Sequence, residues 1–266
     1  MADYYFNQTP AEMDRLAMQA TVLALTTRRM IVESGFRPGM RVRDVGCGAG
    51  DVAMLTAELG GPETQIVAID PSASAFDYAR SRASARSLNA IAFVTSSLQD
   101  YAPSGDFDMV IGRYVALHQP DPVAFVRQAA RHLRPGGLIG FHEIDLRKSY
   151  KSWPKSDRFN AIAAFVMDLT SAAIPRPETA GHLAQIFYKA GLPAATLFCE
   201  SPAGTENSPI VRWLALIYAM VHALSGEDSE PIDVEGLISA LRHDLGRKHS
   251  QILSPDQVCA WAEIPG

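Results

Sequence analysis

Arg41-Val42-Arg43-Asp44-Val45-Gly46-Cys47-Gly48-Ala49-Gly50-Asp51 is followed some fifteen residues later by Ile66-Val67-Ala68-Ile69-Asp70. The two runs read as a buried strand, a turn of three alternating glycines, a helix starting at Asp51, and a second strand that ends on a carboxylate. Glycine takes positive φ freely and lets a ligand lie against the backbone with no Cβ between them. A ligand is therefore expected at Gly46, Gly48 and Gly50.

Charge narrows the choice of ligand. A dinucleotide turn with the spacing G-x-G-x-x-G seats a pyrophosphate on a helix N-terminus. Here the spacing is G-x-G-x-G, and Asp51 stands where the third glycine of that turn would be. A carboxylate suits the positive end of a helix but repels phosphate, and Asp44 adds a second negative charge. The expected ligand is a cationic nucleoside without phosphate, a description that S-adenosylmethionine fits through its sulfonium and α-ammonium groups. Asp70 is placed to accept hydrogen bonds from both ribose hydroxyls.

The D-V-G-C-G-A-G run at 44–50, Asp70, the strand Phe107-Asp108-Met109-Val110-Ile111-Gly112 and the turn Leu133-Arg134-Pro135-Gly136-Gly137 carry a resemblance. Over roughly 40–145 the chain resembles the class I S-adenosylmethionine-dependent methyltransferases that act on small molecules. The resemblance implies a Rossmann-like α/β fold, with a doubly wound, mostly parallel sheet of seven strands. It also implies cofactor contacts from Pro71, from Leu98, from the Gly112 backbone and from Arg113, which is available for a carboxylate. The family usually has an acidic residue after its third strand to bond the adenine amino group. This chain has Thr95-Ser96-Ser97-Leu98-Gln99 there, which leaves the contact to Ser97 or Gln99. His118, in the loop after the fourth strand, is a candidate general base because imidazole titrates near neutral pH; a scaffold role is the alternative. Tyr114 in the same loop is expected to face the substrate.

The length, 266 residues, suits one α/β domain with additions. A net charge of −5 argues against a nucleic-acid surface, which would normally be basic. The three cysteines show no metal spacing, so reduced thiols and no metal are expected. No charged leader precedes an apolar core, and the apolar run from Trp213 to Leu224 falls short of the ~20 residues that span a bilayer. A soluble cytoplasmic protein with no membrane partner is the expectation, and a homodimer is left open.

Around the core the pattern divides into an N-terminal helical lid (1–34), a cofactor-binding core (35–150), a lid helix (151–178), a continuation of the core (179–207), a helical lid insertion (208–250) and a closing strand (251–266). Thr9-Pro10-Ala11-Glu12 is a capping box that predicts a helix to about Glu33. Ahead of it, Tyr4 or Tyr5 is expected to cover the ligand, and Arg15 or Gln19 on the helix's polar flank to reach the methionine carboxylate. Further helices are predicted over 51–59, 73–87, 122–132, 156–171, 179–190, 208–224 and 234–248, and strands over 41–46, 65–69, 91–95, 107–111, 138–145, 194–200 and 258–262.

In the strand after the glycine turn, Phe141, Glu143 and Asp145 share one face. Two carboxylates there are costly to bury without partners. Glu143 is the first candidate to meet a substrate amine or hydroxyl and Asp145 the second, with ion pairs to Arg113 or Arg147 as the structural alternative. Trp153, Trp213 and His222, with Phe165, Tyr218 and Met220, are candidate pocket residues, although core packing explains such residues equally well.

The expected activity moves a methyl group to an O or N atom of a small, partly apolar molecule of secondary metabolism. The alternatives are C-methylation of a quinone-like acceptor, and cyclisation or rearrangement by a protein that binds the cofactor without transferring its methyl group. The acidic balance disfavours a modifier of tRNA or protein. Because the donor is already activated, alignment and exclusion of water carry most of the catalysis, and a base is needed only for an acceptor that arrives protonated.

Overall fold

The computed structural model describes residues 10–102, 105–224 and 230–266. Expectations for Tyr4, Tyr5 and Thr9 lie outside these residues. The chain opens with α1 (Pro10–Glu33) and then alternates: β1 (Arg41–Val45), α2 (Asp51–Gly60), β2 (Gln65–Asp70), α3 (Phe76–Ala85), β3 (Ile91–Thr95), β4 (Phe107–Arg113), α4 (Pro122–Ala130) and β5 (Leu133–Ile144). There follow β6 (Lys151–Trp153), α5 (Asp157–Ala173), α6 (Leu183–Ala190), β7 (Thr196–Glu200), β8 (Ala203–Gly204), α7 (Pro209–Leu224), α8 (Val234–Arg247), β9 (Gln251–Leu253) and β10 (Gln257–Glu263).

Seven strands form one sheet in the order β3-β2-β1-β4-β5-β10-β7. Pairing is parallel from β3 to β5, and β10 runs antiparallel to both of its neighbours. Central strands of such a sheet are covered on both faces and read as continuous apolar runs. Val42, Met109, Val110 and Ile111 accordingly have no exposed surface. Phe141 of β5 ties two helices to the sheet, its ring 6.0 Å from Phe125 of α4 and 6.2 Å from Phe187 of α6. Strand order reverses between β1 and β4, and in open α/β sheets the crevice at the carboxyl ends beside that reversal is where ligands collect.

Three details depart from the sequence pattern. The helices expected over 73–87 and 179–190 begin as 3-10 turns, Ala73–Ala75 and Thr179–His182, and α3 ends at Ala85. The strand expected from 138 begins at Leu133, which pairs with Phe107; a register irregularity between Phe107 and Met109 absorbs the Pro135-Gly136-Gly137 turn. A second sheet, β6-β9-β8, was not expected, because runs of two or three residues are too short to show alternation.

Helices α5, α7 and α8 pack together as a layer, and α1 joins it to the sheet, with Leu23 in the helical cluster and Met30 and Ile31 in the core against β1 and β10. The all-round apolarity of α7 predicts burial, and Ile210, Val211, Trp213, Leu214 and Ile217 pack with Phe159 and Ile162 of α5 and with Ile238, Leu241 and Leu245 of α8. Asp121 and Ser156 cap α4 and α5 through hydrogen bonds to the N–H groups of Ala124 and Phe159.

Replacing Phe141 with Ala removes the ring shared by α4 and α6. The variant is expected to lose about 3–5 kcal/mol, read as a lower urea midpoint with an unchanged slope.

Candidate active site

The glycine turn lies at the strand-order reversal. Its Gly46 and Cys47 N–H groups donate to the Ile69 carbonyl at 2.9 and 3.0 Å, which fastens the turn to the end of β2. Gly46, Gly48 and Gly50 take φ of +68°, +50° and +76°. A Cβ at Gly46 would strike Val115, whereas a Cβ at Gly48 would meet nothing within 4 Å. Gly48 is thus open on the side where a ligand can approach the backbone. Asp70 is fixed beside it: Oδ2 accepts from Gly48 N–H at 3.0 Å and Oδ1 from Ser72 N–H at 2.9 Å. Each oxygen keeps a lone pair for a further donor. Burial raises the Asp70 pKa above the usual carboxylate range, and the two backbone bonds oppose the rise.

Asp44, near the end of β1, is 1% exposed. Among the described residues neither of its oxygens has a hydrogen-bond partner. Burial raises its pKa to about 7, against the pull of the nearby Arg113 guanidinium and, after it, of the Ala53 N–H at the start of α2, which faces the carboxylate without forming a well-aligned bond. A buried carboxylate without a donor is costly, and a cationic ligand group would satisfy it. The orphaned Asp44, the acceptors on Asp70 and the open backbone at Gly48 together fit an adenosyl cation. Asp51 does not contribute as the sequence suggested. It forms an ion pair with Arg82 of α3 at 2.6 Å, so it supplies little of the repulsion expected against phosphate.

The loop after β4 faces the turn. Val115 sits where a Cβ on either Gly46 or Gly112 would stand, and so wedges the two backbones apart. Glu143 of β5 has no exposed surface, and its Oε1 accepts from the Val115 and Ala116 N–H groups at 3.1 and 2.8 Å. Burial lifts its pKa to about 8 in spite of these bonds. The structure therefore turns this carboxyl onto the loop backbone. Asp145 takes the structural alternative: Arg147 pairs with it at 2.8 Å and holds it below the usual carboxylate range.

Arg113 donates to Thr27 of α1 at 3.3 Å and lies close enough to Asp44 to act on it. Tyr114 takes φ +54° and donates from its hydroxyl to Gln257 of β10 at 2.5 Å. His118, half-buried in a 3-10 turn, has its pKa lowered to about 4 by burial and then by the Arg15 charge. It is neutral at physiological pH and a weak base. Arg15 and Gln19 are brought together, with Arg15 bonded to Gln19 at 2.8 Å and to both oxygens of Glu12 at 2.7 Å. All three side chains are buried.

The remaining expected residues scatter. Ser97 donates to Asp100 at 2.6 Å, Leu98 is buried behind it, and Pro71 is exposed beside Asp70. Trp213 is buried in the helical layer with its ring 6.1 Å from Tyr150. His222 packs with Tyr218 and Phe165 at the end of α7. Trp153 stands half-exposed on β6, its ring shared with the Lys151 ammonium. Tyr5 lies outside the described residues. Val115, Thr27, His142 and Gln257 were missed; none belongs to a motif, and apart from the buried polar character of the last three nothing in the sequence marks them.

A family model described as a methyltransferase domain matches residues 36–191, more than half of the chain. The chain belongs to this methyltransferase family. The match takes in the glycine turn, Asp70, the β4 loop and Glu143. The methyltransferase is 35% identical over 117 residues to the ubiquinone biosynthesis O-methyltransferase of Idiomarina loihiensis, covering 43% of this chain and 46% of that one. It is 36% identical over 127 residues to the nocamycin O-methyltransferase of Saccharothrix syringae, covering 47% and 45%. These matches span less than half the length of the relatives. Among solved structures, Haemonchus contortus phosphoethanolamine N-methyltransferase 2 in complex with S-adenosyl-L-methionine shares the fold, with a TM-score of 0.54 at 16% identity over 91% of this chain and 52% of that one.

Because Glu143 is protonated at neutral pH and serves through one acceptor oxygen, Glu143→Gln is expected to stay within about 1 kcal/mol of the parent. Glu143→Ala strands two buried N–H groups and is expected to cost about 2–5 kcal/mol. Denaturation of both variants at pH 7 checks the contrast.

Proposed function

We propose that this protein is an S-adenosylmethionine-dependent methyltransferase acting on an O or N atom of a small, partly apolar molecule. The observation that carries the reading is the buried Asp44 carboxylate, whose oxygens have no well-formed hydrogen bond among the described residues, near the Arg113 guanidinium and a glycine turn whose backbone is open at Gly48. Asp44 meets the cofactor's α-ammonium group and Arg113 its carboxylate. Asp70 accepts from the ribose hydroxyls, the 46–50 backbone carries the adenosyl group, and Ser97 and Leu98 border the adenine. When bound, the cofactor supplies a methyl group already activated by its sulfonium.

The protein's own part is alignment. The 112–118 loop is locked against the glycine turn by the Val115 wedge and the Glu143 bonds, so a cofactor seated on the turn is held in register with groups on the loop. The helices α1, α5, α7 and α8 act as a lid that excludes water. His118 is too weak a base to ionise an unactivated hydroxyl, which favours an acceptor that arrives as a phenolate, carboxylate or free amine. The printed names of the relatives support small-molecule O-methylation. The net charge of −5 supports the absence of a nucleic-acid partner, and three free thiols support a cytoplasmic location.

Incubation with the labelled cofactor and a panel of phenols, carboxylates and amines is expected to release S-adenosylhomocysteine. Binding without turnover across the panel would shift the reading to cyclisation or rearrangement, and absence of binding would end it. Asp70→Ala is expected to weaken cofactor affinity by about 1–3 kcal/mol.

The pKa of Asp44 also sets a pH dependence. Below about 7 the side chain is protonated and must release its proton to pair with a cation, so affinity is lost as pH falls. S-adenosylhomocysteine binding is expected to tighten from pH 6 to pH 8, steepest on the acid side at up to about tenfold per unit, with proton release visible in calorimetry across buffers. Asp44→Asn is expected to abolish both effects.

A further inference from the structure

Buried polar groups from α1, β4, β5 and β10 form one connected chain, and every proton in it can be placed. The Pro255 carbonyl can only accept, so the amide nitrogen of Gln257 faces it, at 2.9 Å. The Gln257 oxygen then faces both the Tyr114 hydroxyl at 2.5 Å and His142 Nε2 at 3.1 Å. An amide oxygen only accepts, so both of these groups donate to it. With a proton on Nε2, neutral His142 has Nδ1 free to accept, and the Thr27 hydroxyl at 3.0 Å donates there. The oxygen of Thr27 is left to accept from Arg113 Nη1 at 3.3 Å.

A doubly protonated His142 would break this order. The Thr27 hydroxyl hydrogen would then lose its acceptor at Nδ1, and a second buried cation would stand beside Arg113. Thr27, His142 and Gln257 have no exposed surface, so water cannot repair a reversed link. Burial first, and then the charge on Arg113, hold His142 at a pKa of about 3, in keeping with the same assignment.

The two ends of the chain are functional in character. One is Arg113, beside Asp44. The other is Tyr114, a non-glycine residue at positive φ whose hydroxyl is tethered to β10 and whose ring lies edge-on to His142 at 5.7 Å. Such a backbone conformation is uncommon for a bulky residue and persists where its surroundings hold it.

We infer that Thr27, His142 and Gln257 are positioning residues, which hold Arg113 toward the carboxylate of the cofactor and Tyr114 toward the acceptor through one hydrogen-bond chain of fixed direction. The inference rests on the cofactor reading above. It makes α1 part of the cofactor site through Thr27, which has no motif and need not touch the ligand.

The test begins with calorimetric titration of the unaltered protein with S-adenosylhomocysteine; failure to bind would refute the cofactor reading itself. Given binding, Thr27→Val is expected to weaken it about tenfold, the worth of a hydrogen bond to a charged group, and Thr27→Ser to restore it. A Thr27→Val variant that binds like the parent, or a Thr27→Ser variant as weak as Thr27→Val, overturns the inference. The protonation of His142, read by nitrogen-15 NMR of the unaltered protein at pH 7, gives a check that needs no variant. The neutral form with the proton on Nε2 supports the chain, and the Nδ1 form or the imidazolium refutes it.

Discussion

A carboxylate buried near a strand end with too few donors to hold it ionised is the constraint on which the site depends. Asp44 stays within a sheet whose neighbours offer it apolar side chains and one guanidinium at a distance, and its proton affinity climbs until it titrates near neutrality. Pairing of β1 with parallel neighbours on both sides fixes the backbone at this position, so the side chain cannot move away with its strand. The site is therefore in deficit of positive charge before any ligand arrives. A phosphorylated nucleotide would deepen the deficit, and an adenosyl cation relieves it.

Glu143 shows the same physics with the opposite outcome. It is buried as deeply as Asp44, but the chain supplies two N–H donors to one of its oxygens. Burial still raises its pKa to about 8, because backbone N–H groups only partly replace the water lost to the ionised form. Its Oε2, like both oxygens of Asp44, has no partner among the described residues, so this acid serves as a clamp on a loop through one oxygen alone. The clamp matters because the same loop carries Val115 into contact with the glycine turn. Glycine turn and loop are parts of one packed unit, which suits a reaction that depends on collinear placement.

Much of this was legible along the chain. The bounds of α1 and β3 and the three-glycine turn follow from spacing, because each rests on local geometry or on the period of apolar residues, whereas the sheet class came with the family resemblance. Partnerships across the fold were less accessible. Asp51 reads as a free charge until Arg82, on the next helix, is placed against it. Glu143 reads as a lining residue because its partners are backbone N–H groups, which no side-chain pattern encodes. Thr27, His142 and Gln257 are polar residues on otherwise apolar faces, and their link appears only when α1, β5 and β10 come together. The short strands β6, β8 and β9 carry too few residues for any period to emerge.

Those three strands bear on how a small molecule reaches the interior. β6 leads into α5, β8 leads into α7, and β9 follows α8, so one small sheet gathers the roots of three helices. Peeling α7 away alone would wet Ile210, Val211, Trp213, Leu214 and Ile217. At about 1.5–3 kcal/mol for each side chain, that rivals the stability of a whole domain. Any displacement of α7 costs less if α5 and α8 tilt with it as one slab about this common root.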